Sequence, residues 1–379
     1  MLIANQAWNL FNYRAGLIRA LRSDGFAIIA VAPPDAAMER RLAELGCTFA
    51  ALPLDAKSLS PLGEIRTFWT LWRLMRNHRP DAVLSWTIKA NLWGTLAAGF
   101  NRIPAIPNVS GLGIAQDGPW LLRRVSSILY RLCLGKASTV FFQNGADCEA
   151  LVGAGLVRPD QAKILPGSGV DTLHFRPATT VRPAGRTYLL LARLLAPKGI
   201  REFVEAARIL TPEFPDLRFT VAGFLDVANS SAIGRAEVDE WVKEGVIDYH
   251  PPVEDVRPLL ENAEAVVLPS YYREGLSRGL LEAAAMARPI ITTNLPGCRE
   301  AIEDGVTGFL CAPRDAASLA AAIRKLAQLN DQQWAAMGTA GRARIEAGFT
   351  EDVVVGKYRA ALDAASVRIS ANRIPSASS

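Results

Sequence analysis

The sequence predicts an α/β protein built from two doubly wound parallel sheets. Short apolar runs alternate with longer stretches of helical periodicity, which is the pattern of parallel strands joined by crossover helices. A chain of 379 residues is long for one domain and natural for two. Because Pro177, Pro183 and Gly185 cluster as in a linker, we place the boundary between residues 1–175 and 176–349.

The first half of the chain opens on a very short strand at 1–4. The last two predicted helices of this half, 62–78 and 120–134, mix Arg and Lys with aromatic and aliphatic residues. Two interpretations stay open for them: contact with an anionic membrane, or packing on the sheet as crossover helices. The further strands are predicted at 26–31, 48–52, 82–85, 106–109 and 139–142, and the further helices at 15–22 and 38–45.

The second half repeats the alternation. Its apolar runs are short and each is followed by a helical pattern or a Gly/Pro turn, as in the first half. Strands are predicted at 188–191, 218–221, 247–249, 265–268 and 290–293, with a short one after Gly305, and helices at 200–210 and 316–326.

Charge is distributed unevenly. Residues 1–170 contain 18 Lys/Arg and 11 Asp/Glu, whereas the remainder contains 24 and 26. A basic half indicates an anionic partner. No basic motif interleaved with aromatic residues indicates nucleic acid, so an anionic membrane surface or a diphosphate-linked acceptor fits better.

Cysteines and histidines do not form a metal-ligand pattern. The five cysteines are scattered and the three histidines lie far apart, so we expect reduced thiols and no metal. No uninterrupted apolar stretch reaches ~18 residues, and the N-terminus lacks a basic segment followed by an apolar core. We therefore expect a cytoplasmic protein.

The stretch 265–286 has the most specific chemistry. An apolar strand leads into a loop with Gly275 and Gly279, which opens an Ala/Leu-rich helix. Backbone N–H groups and a helix N-terminus directed at one spot make an anion site. Glu274 and Glu282 flank the loop with seven residues between them, and carboxylates accept hydrogen bonds from sugar hydroxyls. The site either binds a sugar nucleotide or is an ordinary strand–loop–helix unit with two solvated acids.

The same run resembles a known family. Glu274, seven residues, Glu282 and then Ala-Ala-Ala-Met-Ala-Arg-Pro289 resemble the retaining family 4 glycosyltransferases. The resemblance implies the GT-B architecture of two facing Rossmann-like domains, with a final helix at 350–367 that returns to the first domain and a mobile tail at 368–379. The Tyr-Arg-Glu-Gly form is similar to the bacterial surface-glycan branch, including N-acetylgalactosaminyltransferases, that acts on undecaprenyl-diphosphate-linked sugars.

The resemblance also implies roles at the donor. Arg193 and Lys198 match the Arg and Lys that hold the donor diphosphate, and two cations beside a helix N-terminus suit two phosphates. Glu274 would orient the transferred sugar and Glu282 the ribose. No Asp-x-Asp motif is present, so we expect neither a metal nor another cofactor. The remaining predicted contacts are Gly275, Leu276 and Ser277 at the phosphates and Val253 at the base.

Acceptor-binding residues are predicted after three strands of the first domain, in three short motifs similar to those of the branch. They are Asn9, Asn12, Arg14, Lys89, Ser110 and Gly111. Alternative interpretations are a helix cap at Asn9 or Asn12 and a plain surface lysine at Lys89. Many family members have a histidine near Ser110 and this chain has none, which leaves the catalytic residue of this domain open.

We therefore predict a retaining, metal-independent glycosyltransferase. It would move a hexose or N-acetylhexosamine from a UDP-sugar to a sugar linked to undecaprenyl diphosphate, at the inner face of the cytoplasmic membrane. The partners would be the nucleotide sugar, the lipid-linked saccharide and an anionic membrane surface, without nucleic acid. Alternatives are a soluble acceptor, a non-hydrolysing sugar-nucleotide epimerase and a non-catalytic binding protein. An NAD-dependent oxidoreductase would need Gly-x-Gly-x-x-Gly after the first strand, which is absent.

Overall fold

The computed structural model describes residues 1–55, 60–111, 120–177, 181–225, 227, 229–273 and 275–365, apart from most side chains of 120–126. Two compact units divide the chain: Met1–Ser168 with the segment from Glu351, and Gly169–Thr350. The division lies earlier than the predicted boundary after residue 175, because the buried Val170 already donates its N–H to the carbonyl of Phe349. The predicted tail at 368–379 lies outside the described residues.

Seven parallel strands form the sheet of the first unit, in the order β3-β2-β1-β4-β5-β6-β7. β4 and β5 are buried throughout, as parallel strands covered by helices on both faces are. The strands are β1 Leu2–Ile3, β2 Ile28–Ala32, β3 Cys47–Ala51, β4 Val83–Trp86, β5 Ala105–Val109, β6 Val140–Phe142 and β7 Ala162–Ile164. The helices are α1 Ala7–Ser23, α2 Ala36–Glu44, α3 Pro61–His78, α4 Ile88–Asn101, α5 Trp120–Leu134, α6 Gly145–Gly153 and the final α13 Glu351–Ala364.

Six parallel strands form the sheet of the second unit, in the order β10-β9-β8-β11-β12-β13. The strands are β8 Thr187–Leu191, β9 Arg218–Ala222, β10 Asp248–His250, β11 Ala263–Leu268, β12 Ile290–Thr293 and β13 Gly308–Cys311. The helices are α7 Ile200–Leu210, α8 Arg235–Lys243, α9 Arg257–Asn262, α10 Arg278–Ala285, α11 Ala316–Ala327 and α12 Asp331–Gly348. The prediction of two Rossmann-like α/β domains is confirmed.

Both sheets place a topological switch point at an equivalent position. The strand order reverses between β1 and β4 in the first unit and between β8 and β11 in the second. Ligands of open α/β sheets bind at the carboxyl ends of the strands beside such a reversal. The fold therefore singles out the loops after β1, β4, β8 and β11.

Several helices differ from the sequence prediction, which does not include α6, α8 and α9. α1 begins at Ala7 rather than at residue 15, because no Gly or Pro interrupts 7–14 and the buried Leu10 and Leu17 extend one apolar face. α12 was not predicted, although Asn330 and Gln333 form a capping box at its start. Across the part of the chain that the structure describes, no helix combines the length and apolar character needed to cross a membrane.

A buried carboxylate holds the amino-terminal edge of the second sheet. Glu264 is fully buried near the start of β11, with Oε1 2.5 Å from Arg182 Nη2 and 3.0 Å from the Tyr188 hydroxyl. Arg186 Nε donates to Oε2 at 3.2 Å. Burial, followed by the charge of Glu264, raises the pKa of Tyr188 well above its ordinary value. Replacing either the carboxylate or its arginine partners would destabilise the second unit, because a buried charge left without a partner is strongly destabilising.

The final helix belongs to the first unit, which confirms its predicted return to that domain. The hydroxyl of Tyr358 on α13 is buried and accepts hydrogen bonds from Trp86 Nε1 at 3.0 Å and Asn108 Nδ2 at 3.2 Å. The Tyr358 ring lies edge-on to Phe141, with centroids 5.0 Å apart. One side chain of α13 therefore bonds to the carboxyl ends of both β4 and β5.

We expect Tyr358→Phe to lower the free energy of unfolding of the first unit by about 1–3 kcal/mol, because it leaves two buried N–H donors without an acceptor. Urea denaturation followed by far-UV circular dichroism measures the change. Tyr272→Phe is the control, since that side chain is 37 % exposed and its loss of a hydroxyl should change stability by less than about 0.5 kcal/mol. Equal stability of the two variants would contradict the assigned role.

Candidate active site

Two loops meet at the switch point of the second unit. One follows β8 and carries Arg193 and Lys198, and the other follows β11 and carries Gly275–Ser277. The carbonyl of Pro197 accepts a hydrogen bond from the N–H of Tyr271 at 2.9 Å and from the hydroxyl of Ser270 at 3.2 Å. The loop that carries the predicted diphosphate residues is thus hydrogen-bonded to the loop that carries the predicted phosphate-binding residues, through Pro197, Ser270 and Tyr271.

This junction requires a glycine at position 199. Gly199 has φ = +77°, and a Cβ built on it would lie 2.1 Å from the carbonyl oxygen of Pro269. No side chain fits at that distance, and L-residues rarely adopt that backbone conformation. The close approach of the two loops therefore depends on the absence of a side chain here.

The charges at the junction suit an anion. Arg193 is exposed, and no described group pairs with its guanidinium, while Lys198 is half-buried. α10 begins directly after Ser277, which forms no side-chain capping bond. A Cβ at Gly279 would lie 4.0 Å from the carbonyl of Leu191, so the first turn of α10 lies at the end of β8. Backbone N–H groups of that turn and the Arg193 cation share one edge of the sheet.

Glu282 lies on the first turns of α10 and is largely buried, with its side chain 14 % exposed. Arg278 Nε donates to Glu282 Oε1 at 2.7 Å. Burial raises the pKa of the Glu282 carboxyl, and the Arg278 guanidinium opposes that rise. This carboxylate is therefore not a solvated surface acid. Glu274, the other predicted acid, lies outside the described residues.

Val253 lies farther from the switch point of the second unit than the other predicted donor residues that the structure describes. It is 36 % exposed in the loop after β10, which is separated from β8 by β9. Two strand spacings place β10 about 10 Å from β8. The loop's end is fixed by Arg257, which donates to Asp255 and lowers the pKa of that carboxyl to about 2. The assignment of Val253 to the base stays a prediction.

The predicted acceptor residues follow β1, β4 and β5 in the first unit. Asn9, Asn12 and Arg14 all lie inside α1, whose N-cap is Gln6, so the alternative of a helix cap at either asparagine is wrong. Arg14 is buried, and its guanidinium carbon lies 4.8 Å from the ring centroid of Trp86 at the end of β4. The helix that follows β1 is therefore in contact with the carboxyl end of β4.

Lys89 is not a plain surface lysine. Its side chain is 16 % exposed, and Nζ lies 2.5 Å from Glu64 Oε1 and donates to the carbonyl of Asp55 at 2.7 Å. The same Glu64 carboxylate accepts a hydrogen bond from Trp93 Nε1. Ser110 and Gly111 follow β5; Ser110 is exposed, and Gly111 has φ = +107°. Acceptor binding by these residues stays a prediction.

Sequence reasoning missed two features of the sites. Arg278 is four residues before Glu282 in a predicted helix, and this spacing alone indicates an ion pair. Asn108 interrupts an apolar strand, and its carbonyl accepts a hydrogen bond from Asn91 Nδ2 at 2.7 Å. Among the described residues, no group of three His, Cys, Asp or Glu side chains is placed to hold a metal. The metal-free site stays a prediction.

Comparison with known proteins decides the family. Residues 12–167 match the glycosyl transferase 4-like domain, and residues 185–329 match the glycosyl transferases group 1. The chain belongs to the glycosyltransferases that contain these two domains. It is thus a transferase enzyme, and the family predicted from Glu274–Glu282 is confirmed.

Relatives and structures similar to this glycosyltransferase cover most of its length. The N,N'-diacetylbacillosaminyl-diphospho-undecaprenol α-1,3-N-acetylgalactosaminyltransferase of Campylobacter jejuni is 26 % identical over 367 residues, 92 % of this chain and 94 % of that protein. The capsular polysaccharide biosynthesis glycosyltransferase CapM of Staphylococcus aureus is 23 % identical over 311 residues, 79 % and 80 % of the two chains. HepE from Anabaena, crystallised with UDP-glucose, has a TM-score of 0.78 at 18 % identity, covering 96 % and 98 %, and shows the same fold.

We expect Gly199→Ala to destabilise the second unit by roughly 1–3 kcal/mol and to weaken nucleotide-sugar binding, because the added methyl would displace the loop after β8 from Pro269. Thermal unfolding and calorimetric titration of the same preparation measure both effects. Gly234→Ala is the matched control, since nothing lies within 4 Å of its Cβ position. Normal binding by the Gly199 variant would show that the loop contact is dispensable.

We expect the Arg278–Glu282 pair to set the pH dependence of nucleotide-sugar binding. Protonated Glu282 is a poorer acceptor, so affinity should fall as the pH drops through its pKa, which lies above that of an ordinary Glu. Arg278→Gln removes the opposing charge, so the fall should occur at higher pH, whereas Arg278→Lys should resemble the wild type. Titrations between pH 5 and 8 measure this, and identical profiles in all three proteins would refute it.

Proposed function

We propose that this glycosyltransferase moves a hexose or N-acetylhexosamine from a UDP-sugar to a sugar linked to undecaprenyl diphosphate, in the assembly of a bacterial surface glycan. The choice of a UDP-sugar donor rests on the two hydrogen-bonded loops at the switch point of the second unit. Arg193, Lys198 and the start of α10 lie together at that edge of the sheet. The complex of HepE with UDP-glucose supports the choice of donor.

Catalysis would consist mainly of stabilising the leaving diphosphate. Negative charge develops on the oxygen between the sugar and the phosphates as that bond breaks. Arg193, Lys198 and the N–H groups near Gly275–Ser277 would neutralise this charge, and for that reason the reaction is proposed to proceed without a metal. The buried Glu282 would accept hydrogen bonds from the ribose, and Arg278 would hold its carboxylate in place.

The transfer is proposed to retain the anomeric configuration, as in the family the sequence resembles. The acceptor hydroxyl would attack from the side of the leaving group, with a donor phosphate oxygen taking its proton, while Glu274 orients the transferred sugar. Mass spectrometry of the enzyme quenched during turnover tests this step. A glycosyl group attached to Glu274 would replace front-side attack by a covalent mechanism.

The acceptor half is supported by the Campylobacter jejuni relative, whose name specifies a sugar linked through diphosphate to undecaprenol. The excess of Lys and Arg in residues 1–170 suits a diphosphate, and Lys89 and Arg14 lie at the strand ends where an acceptor is expected. Such an acceptor stays in the bilayer, so the enzyme would work at the cytoplasmic face of the membrane as a peripheral protein.

Titration of a panel of nucleotide sugars in EDTA tests the donor site first. We expect one UDP-sugar to bind without metal and to be slowly hydrolysed. Arg193→Ala and Glu282→Ala should each weaken binding about 10- to 100-fold, because each removes a charged hydrogen-bonding group. Arg218→Ala is the control, since Arg218 is exposed at the opposite end of β9. A strict requirement for a divalent ion, or equal binding by all variants, would reject the donor site.

Transfer assays then test the acceptor. We expect turnover with a sugar carried on undecaprenyl diphosphate in detergent, and little with the same sugar free in solution. Efficient transfer to the free sugar would favour a soluble acceptor instead. Conversion of the UDP-sugar into its epimer without any acceptor would indicate an epimerase.

A further inference from the structure

α3 has two faces of opposite character. Leu71 and Met75 are buried on the face that packs against the sheet. Leu62, Ile65 and Trp69 recur at helical spacing on the outward face and are 79 %, 53 % and 50 % exposed. A soluble helix normally presents polar residues on that face, so these three side chains need an explanation.

The exposed apolar surface continues onto α4. The ring centroid of Phe68 lies 5.8 Å from that of Trp69 and 5.8 Å from that of Phe100. Phe100, near the end of α4, is itself 63 % exposed. The aromatic residues thus connect two helices into one surface rather than forming isolated exposed positions.

Arginines with no ion-pair partner among the described residues lie within this surface. Arg66 and Arg73 flank Trp69 two turns apart, and together with Pro53 and Thr70 these residues line a cavity of about 570 Å³. Neither guanidinium has a hydrogen-bond or ion-pair partner among the described residues. Further along, the Lys136 Nζ lies 5.6 Å from the ring centroid of Phe100. The combination of apolar side chains with unpaired cations is typical of interfacial helices.

The single acid of α3 does not oppose this charge. Glu64 is bonded to Lys89 and Trp93 of α4, and its side chain is 21 % exposed. Arg76, one turn beyond Arg73, stacks on Trp72 with its guanidinium carbon 5.2 Å from the ring centroid. The outward face of α3 therefore carries positive charge and apolar surface, and Glu64 is neutralised by Lys89 on the side that faces α4.

We propose that this surface docks on an anionic lipid bilayer, with a lipid phosphate seated in the cavity between Arg66 and Arg73. We call it the α3 surface, and its members are Leu62, Ile65, Arg66, Trp69, Arg73 and Phe100. The inference deepens the proposed function, on which it rests for the lipid-linked acceptor. A bilayer supplies at one interface both the apolar phase for Leu62 and Ile65 and the phosphates for the arginines.

The position of the α3 surface suits that acceptor. Glu64, in the first turn of α3, holds Lys89 at the start of α4, directly after the carboxyl end of β4. The apolar residues Leu62 and Ile65 lie on either side of Glu64 in the same turn. A diphosphate at the membrane surface would therefore be presented beside the strand ends at which acceptor-binding residues are predicted.

Flotation of the full chain with vesicles tests the proposal. Binding is measured to phosphatidylcholine vesicles and to vesicles in which about one third of the lipid is phosphatidylglycerol. Four proteins are compared: the wild type, Arg66→Glu/Arg73→Glu, Trp69→Ala and the control Arg19→Glu/Arg40→Glu. The control makes the same charge change at two exposed arginines of α1 and α2 in the same unit. UDP-sugar titration and thermal unfolding of each protein are measured in parallel.

We expect the wild type and the control to bind the anionic vesicles alike, and the Arg66/Arg73 variant to bind at least about tenfold more weakly. Trp69→Ala should lose the binding that remains at high salt, where apolar insertion dominates. UDP-sugar binding should be equal in all four proteins, so a docking failure would leave the donor site intact.

Three results would overturn the proposal. One is a wild type that does not bind anionic vesicles, and another is an Arg66/Arg73 variant that binds them as well as the control does. The third is sedimentation of the wild type as a dimer that the Arg66/Arg73 or Trp69 change dissociates, because a second copy of the chain would then cover the α3 surface. A wild type that does not bind any UDP-sugar would instead count against the proposed function.

Discussion

The candidate donor site depends on the contact between the loops after β8 and β11. A parallel sheet delivers both loops to the same edge, but strand pairing alone does not determine how closely they approach. Here the carbonyl of Pro197 takes hydrogen bonds from the second loop, and Gly199 leaves room for the backbone of Pro269. The two cations of the first loop are then held beside the helix that follows the second loop. An anion site built this way would be present before a ligand binds, as electrostatic stabilisation of a leaving group requires.

Buried polar groups stabilise the two sheets at different edges. In the second unit, Glu264 gathers two arginines and Tyr188 near the amino end of β11, away from the loops that would bind ligand. In the first unit, Tyr358 bonds to Trp86 and Asn108 at the carboxyl ends of β4 and β5. The final helix thus stabilises the strand ends of the candidate acceptor side, whereas the candidate donor side is stabilised by bonds between its own loops.

The fold was predictable because its signals are local. Buried parallel strands appear as apolar runs, and Pro269 and Gly275 indicate the loop at 269–277. Contacts between distant residues were not predictable: Lys89 and Glu64 are 25 positions apart, and nothing in either segment indicates that they pair. The start of α1 was misplaced because Gln6 provides no side-chain cap, so the sequence lacks the usual signal for a helix N-terminus. Arg278 was overlooked although its spacing from Glu282 was visible.

The pairing of Lys89 with Glu64 changes how the first unit is understood. A lysine at a strand end would by itself be a mobile cation that any phosphate could recruit. Bonded to Glu64, it is held by a residue of α3, the helix whose other face is apolar and cationic. The position of Lys89 and the position of the α3 surface are therefore linked through one carboxylate, and Trp93 holds that carboxylate from α4. In the proposed function, the acceptor's phosphates stay at the depth that the membrane sets. The ion pair between α3 and α4 would then fix Lys89 relative to that depth.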